Sequence, residues 1–334
     1  MKLLFRMKPQ GAFYVGNDLF SAQSFPFSHS DTIFQALLSA WEMLWGKKEK
    51  DQLIECFHHP DTIPFIITSC FPAIGDVYFL PKPLAMKEKE AKKKNNAFSW
   101  ISGNIYKEWL KGNRLDFSLE YCLSPGVYFH PSEKNTIESL CPSQKIWSCD
   151  KGRMRNKTSI FGGVAKAYPA EQIYYSQNTD FYLVAEIQEA YSNKFQSILR
   201  LLAEEGIGGK RSIGCGSYLY QDTMPIPESL DFLEKPVSAS WVLLSLYFPQ
   251  PKNIEDGLFH KAHWQIMERQ GWSKNNRGNS IHNKAIHLIQ EGSCFFSVPE
   301  KAKALVEVKS SSSSQNACYH YVYPFKAVAP GANL

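Results

Sequence analysis

The sequence predicts an α+β chain of two domains and leaves room for a βαββαβ-like order in each. Three observations carry that expectation. The chain has 334 residues, 44% of them apolar and 14% aromatic, which suits about two domains with sizeable cores. Short strand patterns of period two alternate with helical stripes of period 3.6. A proline-bearing stretch at 222–236 then separates residues 1–225 from residues 226–334.

Residues 2–7 read as the first strand, with Leu3, Phe5 and Met7 alternating. A helix is expected from Ser30 or Asp31, either of which can cap its free amides. Ile33, Phe34, Leu37, Leu38, Trp41, Leu44 and Trp45 form one broad apolar stripe. Gly46 and the lysines that follow are expected to end it. Residues 64–70 and 77–80 are short β-like runs. The stretch after Pro81-Lys82-Pro83, with lysines at 82, 87, 89, 92, 93 and 94, reads as an exposed insertion spanning 81–100. Residues 181–187 form another strand candidate. A second helix follows, with Phe195, Ile198, Leu199 and Leu202 on one face. Residues 218–220 open the next strand. Beyond the linker, strands are expected at 241–248, 263–268, 294–298, 305–308 and 319–325.

The formal net charge is +5. That excess permits a polyanionic partner without demanding one. No secretory signal is evident, and no apolar run approaches the ~18 residues of a membrane span. The 8 cysteines contain no Cys-x-x-Cys pair, which points to reduced thiols and a cytoplasmic protein. Cys56, His58 and His59 lie close together, but no second pair completes a metal set. No metal or other cofactor is expected.

The segment from Gly206 through Ile207, Gly208, Gly209, Lys210, Arg211, Ser212, Ile213, Gly214 and Cys215 to Gly216 concentrates the chemistry. Five glycines allow backbone forms other residues avoid and a close approach by a ligand. Lys210 and Arg211 add positive charge, and Ser212 adds a hydroxyl. Exposed amides in such a loop can hold an anion. The loop follows a helix and precedes a strand. That order excludes a P-loop and a dinucleotide fingerprint, both of which run from strand to helix. A turn that only packs is the competing reading.

With these residues the chain resembles the RAMP superfamily of CRISPR RNA-binding proteins. More narrowly it is similar to the fourth Csm subunit of type III-A CRISPR effector complexes. The narrower resemblance rests on the helix entry Phe27-Ser28-His29-Ser30-Asp31-Thr32-Ile33-Phe34-Gln35-Ala36-Leu37 and on Phe79-Leu80-Pro81-Lys82-Pro83. Gln270-Gly271-Trp272 and Glu291-Gly292-Ser293 complete it. It implies two ferredoxin-like (RRM-like) domains and no catalysis. The implied role is to hold the 5′ handle of the CRISPR RNA against the large Palm-domain (cyclase) subunit and the backbone RAMP subunit. Gly208, Gly209, Lys210, Arg211, Ser212, Gly214 and Gly216 become the expected RNA contacts. Arg153, Arg155 and Lys157 assist, although the acidic residue the family carries in that segment is missing. The resemblance also implies a hairpin thumb, for which 84–99 is the candidate, with Phe98 or Trp100 packing on a base. His29 precedes the first helix. It is a candidate RNA contact, a candidate structural cap, or, in an alternative reading as a CRISPR RNA-maturing endoribonuclease, the general base.

Overall fold

The computed structural model describes the chain except residues 17–25, 87–98, 114, 116, 151–153, 158–165, 170, 238, 271, 275–279, 283, 300–301, 309–317 and 332–334. For 154–157, 166–169, 222, 272–274 and 280–282 it describes the backbone alone.

The first part opens with β1 (Lys2–Pro9) and α1 (Ser30–His58), then β2 (Phe65–Ile67), β3 (Phe71–Ile74) and β4 (Val77–Pro81). An insertion follows, with β5 (Trp100–Ser102), α2 (Gly103–Leu110), β6 (Cys122–Ser124), β7 (Val127–Tyr128) and α3 (Lys134–Leu140). Next comes a long ribbon of β8 (Trp147–Asp150), β9 (Met154–Lys157), β10 (Lys166–Pro169) and β11 (Gln172–Tyr175). β12 (Thr179–Ile187), α4 (Ser192–Glu205) and β13 (Tyr218–Met224) close it.

One nine-stranded sheet runs in the order β13-β1-β12-β3-β4-β5-β7-β6, with β2 also paired to β12. Each neighbouring pair among its first four strands is antiparallel. β12 lies in the middle, and Phe181 to Ala185 are all buried, as a central strand requires. α1 and α4 contact each other. Ile33, Phe34, Leu37, Leu38 and Trp41 from α1 are buried, with Phe195, Ile198, Leu199 and Leu202 from α4. The Phe195 ring lies 5.1 Å from that of Phe5 in β1. Each such side chain contributes about 1.5–3 kcal/mol when fully buried.

Several expectations change. The N-cap residue of α1 is His29, whose side chain makes no capping bond; the first-turn amides of Ser30 and Thr32 donate to Ser69 Oγ at 2.8 Å and to Asp31 Oδ1 at 2.6 Å. The Ser30 hydroxyl instead accepts from the Leu246 amide at 2.9 Å. Gly46 does not end α1. It breaks the helix at φ 85° and ψ 171°, a region essentially reserved for glycine, and helical structure resumes to His58. Leu53 and Phe57, one turn apart beyond the break, return to the core. Residues 222–236 are no free linker. β13 extends to Met224, and a 3₁₀ turn over Glu228–Leu233 buries Leu230, Phe232 and Leu233. Phe232 stacks on Tyr106 of α2 at 4.2 Å.

The remaining chain forms β14 (Trp241–Leu243), α5 (Pro251–Glu255), β15 (Ile266–Arg269), β16 (Trp272–Lys274), β17 (Ser280–His282), β18 (Ile286–Ile289), β19 (Cys294–Phe295), β20 (Leu305–Val308), β21 (Cys318–Tyr321) and β22 (Lys326–Val328). β14 lies between β19 and β22; β15 pairs β18, β16 pairs β17, and β20 pairs β21. Among the described residues this half holds a single α-helix, of five residues. Its residues Val242, Leu244, Tyr321, Phe325 and Ala327 join the same buried cluster as Leu4, Phe34 and Leu199. The two halves therefore share a continuous core.

Candidate nucleic-acid interface

The glycine loop runs from the end of α4 to β13, as its helix-to-strand setting predicted. Its folding explains the glycines better than a free amide cradle does. The amides of Gly209, Gly214 and Gly216 donate to Tyr14, Arg211 and Ala12 carbonyls, at 2.8, 2.9 and 2.9 Å. These three amides are therefore committed within the protein, against the expectation that they face a ligand. Gly216 has φ +92°, and a Cβ there would lie 2.2 Å from the Ile207 carbonyl oxygen. Only glycine lets the returning chain pass that close.

The loop instead presents side chains. Arg211 and Ser212 are exposed, as is Gly214, while Gly208, Gly209 and Lys210 are half-buried. Lys210 takes the left-handed conformation with φ 58°. Its Nζ sits 3.8 Å from the centre of the Tyr14 ring, a cation–π contact. Nothing in the sequence marked Tyr14, because that contact joins residues almost 200 positions apart.

Tyr14 belongs to a strap linking the loop to the ribbon. Gln10 donates to Ser217, and Phe13 and Ile173 exchange backbone hydrogen bonds of 2.8 and 2.9 Å. The ribbon is one nested pairing, β8 on β11 and then β9 on β10. Arg155 and Lys157 stand two positions apart on β9, opposite Tyr168 and Lys166. Arg153 lies outside the described residues. The ribbon base thus adjoins the glycine loop, whereas 82–99 connects the paired strands β4 and β5. Phe98 lies outside the described residues. Trp100 is buried, with its ring 4.9 Å from Phe27 and 5.8 Å from Phe71. It is packed on its own fold and is not available to stack on a base.

Between the loop and the second half lies a groove of about 440 Å³. Gly208, Gly209 and Arg211 form one wall, Thr32, Gln35 and Ser39 of α1 the floor, and Arg269 and Gln270 the other wall. The groove is neutral or cationic on its accessible surface, since its carboxylate, Asp31, is 4% exposed and neutralised. Arg269 Nε donates to Asp31 Oδ2 at 2.9 Å, and Nη2 donates to Oδ1 at 3.0 Å and to the Thr32 hydroxyl at 2.9 Å. His320 Nδ1 lies 3.3 Å from Asp31 Oδ2. Burial alone would raise the Asp31 carboxyl; Arg269 and His320 outweigh it and hold it well below the usual carboxylate range.

His29 does not line this groove. It is 7% exposed, with Nδ1 2.9 Å from Glu291 Oε1, and Ser69 donates to the same carboxylate. Burial raises the Glu291 carboxyl, but the neighbouring His29 and the hydrogen bonds from His29 and Ser69 leave it lowered. The RNA-contact and general-base expectations for His29 fail on this placement, because the ring is enclosed between the two halves. Next to it, the Gly292 carbonyl accepts from Leu84 at 2.8 Å. A Cβ on Gly292 would meet the Lys82 carbonyl at 2.9 Å. The helix entry, Pro81-Lys82-Pro83, Gln270 and Glu291-Gly292 therefore converge on one seam. Among the described residues no His, Cys, Asp or Glu cluster could hold a metal ion, and no helix is long and apolar enough to cross a membrane.

Residues 237–327 match the family described as the CRISPR Csm4 C-terminal domain. The "CRISPR system Cms protein Csm4" of Methanocaldococcus jannaschii is 22% identical over 238 residues, covering 61% of each chain. That match spans less than two thirds of the relative's length. The protein of the same name from Thermococcus onnurineus is 21% identical over 262 residues, covering 74% of this chain and 76% of its own. Among solved structures, a Csm3–Csm4 subcomplex of the type III-A CRISPR-Cas interference complex covers 98% of this chain and 99% of its own. It does so at TM-score 0.66 and 18% identity. A Csm1–Csm4 cassette bound to cA4 covers 99% of both chains at TM-score 0.55 and 17% identity. The fold is thus of the class found among type III-A CRISPR interference subunits, mixed α and β with antiparallel pairing dominant. Residues 237–327 match the Csm4 C-terminal family, and the chain is similar in sequence and fold to Csm4 proteins.

Proposed function

We propose that the chain is the RNA-holding, non-catalytic subunit of a type III-A CRISPR interference complex, acting in antiviral defence in the cytoplasm. It seats the 5′ handle of the CRISPR RNA in the groove beside the glycine loop. It also docks to the large Palm-domain subunit and to the backbone RAMP subunit. The solved relatives, complexes of Csm4 with Csm1 and with Csm3, support those two partners. The strand order β13-β1-β12-β3 supports a ferredoxin-like reading of the first domain, residues 1–225. A second such domain over 226–334 stays part of the proposal, resting on the family match at 237–327.

The observation that carries the RNA reading is the placement of exposed Arg211 at the groove, with exposed Ser212 next to it in the chain and Lys210 braced on Tyr14. Arg211 can take a phosphate bidentately, and Lys210 supplies a point charge. Gly208 and Gly209 keep that wall low, while Gly214 and Gly216 set the return of the loop. Arg155 and Lys157 on the ribbon, with Arg153, extend the cationic path. The chain acts by positioning, and no bond is made or broken on it.

In reconstituted complex, a Lys210→Ala, Arg211→Ala double variant should retain less CRISPR RNA. The dependence of log K on log salt should be shallower by about 0.7 for each single-strand phosphate that the protein no longer neutralises. Equal retention with an unchanged slope would remove the loop from the RNA interface.

A further inference from the structure

The two walls of the groove belong to different halves of the chain. The glycine-loop wall is tied to the nine-stranded sheet through α4 and β13. The opposite wall, Arg269 and Gln270, stands at the end of β15, which pairs only with β18 among the described residues. That two-stranded unit packs Met267, Ile286 and Leu288 into a small separate cluster with Leu246, Val308 and Val322. Its backbone connections run to Tyr247, through Ile289, and between Gln265 and Gln290. All of these lie within the second half. Arg269 ties β15 to the groove floor through its side chain, which bonds Asp31 and Thr32 of α1.

The Arg269 guanidinium is a poor candidate for a ligand contact. The residue is 5% exposed, and two of its nitrogens bond a carboxylate buried as deeply as itself. Its charge is already matched. Its fork is planar and rigid, so two bonds to Asp31 and one to Thr32 fix both distance and angle of the wall relative to α1. His320 of β21 reaches the same carboxylate and adds a third element to the joint.

We infer that Arg269 is a positioning residue, whose fork onto Asp31 and Thr32 sets the spacing between the β15 wall and the glycine-loop wall. The groove is thereby held at the width of one nucleic-acid strand. This rests on the RNA reading of the groove. A preset width lowers the ordering cost of binding, so loosening the joint weakens RNA binding at every salt concentration while leaving each phosphate neutralised as before.

The test uses the reconstituted complex with CRISPR RNA carrying its handle, titrated over a series of salt concentrations. Four variants are compared with the wild type. The charge-balanced pair Asp31→Asn, Arg269→Gln should bind at least tenfold more weakly with the wild-type salt slope. Thr32→Val, which keeps the ion pair and removes the hydroxyl's bonds with Arg269 and Asp31, should bind two- to fivefold more weakly, again at the wild-type slope. Arg211→Ala should show a slope lower by about 0.7. Phe232→Ala, destabilised in the core away from the groove, should bind as the wild type does. The inference is overturned if the Asp31/Arg269 variant flattens the slope as Arg211→Ala does, since Arg269 then touches phosphate. Wild-type affinity in Thr32→Val overturns it too, and that variant decides if the double variant does not assemble. Equal weakening in Phe232→Ala would reduce the effect to general destabilisation. An unchanged slope in Arg211→Ala would instead strike the RNA reading of the loop.

Discussion

Asp31 sits in the first turn of α1 with Arg269 and His320 against it, so burial and those two partners set its charge, with solvent excluded. Its folded-state affinity for a proton is lower than that of a free aspartate. The stabilisation this gives is complete above about pH 4, the ordinary aspartate value. It is lost as pH falls below that toward the folded-state value. Breaking a buried pair by removing one charge costs about 3–5 kcal/mol. Asp31→Asn should therefore be less stable than the wild type by that order at pH 7. The gap should narrow as unfolding is followed from pH 6 down to pH 3, because the unfolded wild type takes up a proton at Asp31 that the folded state does not bind, and Asp31→Asn has no such linkage. A gap independent of pH would show that the carboxylate charge is not what holds the joint. The residues of this joint were only half legible in the sequence. Asp31 stood out as a helix-entry residue and Gln270 as part of a motif. Arg269 and His320 carried no signal, because they reach Asp31 across 238 and 289 positions of chain. For His29 the same limit misled: a histidine before a helix suggests anion chemistry, and only the fold brings Glu291 to it.

Elements with a strong period were readable, and those shaped by tertiary contact were not. β1, α4 and β13 lie where alternation and helical stripes placed them. α1 runs past Gly46 because Leu53 and Phe57 find the core again, which no local rule foresees. The 3₁₀ turn over Glu228–Leu233 was hidden by its prolines, which read as a linker, yet Phe232 is fully buried against Tyr106. Phe232→Ala should lower stability by about 3–5 kcal/mol in a denaturant titration. A decrease under about 1 kcal/mol would mean that this segment is the loose connection its composition suggested. The ribbon from β8 to β11 was likewise missed as an extended hairpin. Its basic residues were noticed, while the thumb that the family resemblance implies was assigned to 84–99, most of which lies outside the described residues.

At the scale of the whole molecule, the short motifs scattered from Phe27 to Ser293 acquire a common purpose. They form the seam along which the second half packs on the first, and the seam shapes the groove. The glycine loop adds one exposed cation, Arg211, to its lining. Under the proposed function, a modest net charge of +5 is no obstacle to a polyanionic partner, since the charge that matters is local. Ultraviolet cross-linking of the assembled complex, followed by peptide mapping, addresses that arrangement most directly. RNA of a single uniform 5′ end should cross-link to peptides containing Tyr14 and residues 208–212. RNA of uniform 5′ end that cross-links only to other subunits, or to this chain only away from the groove, would contradict it.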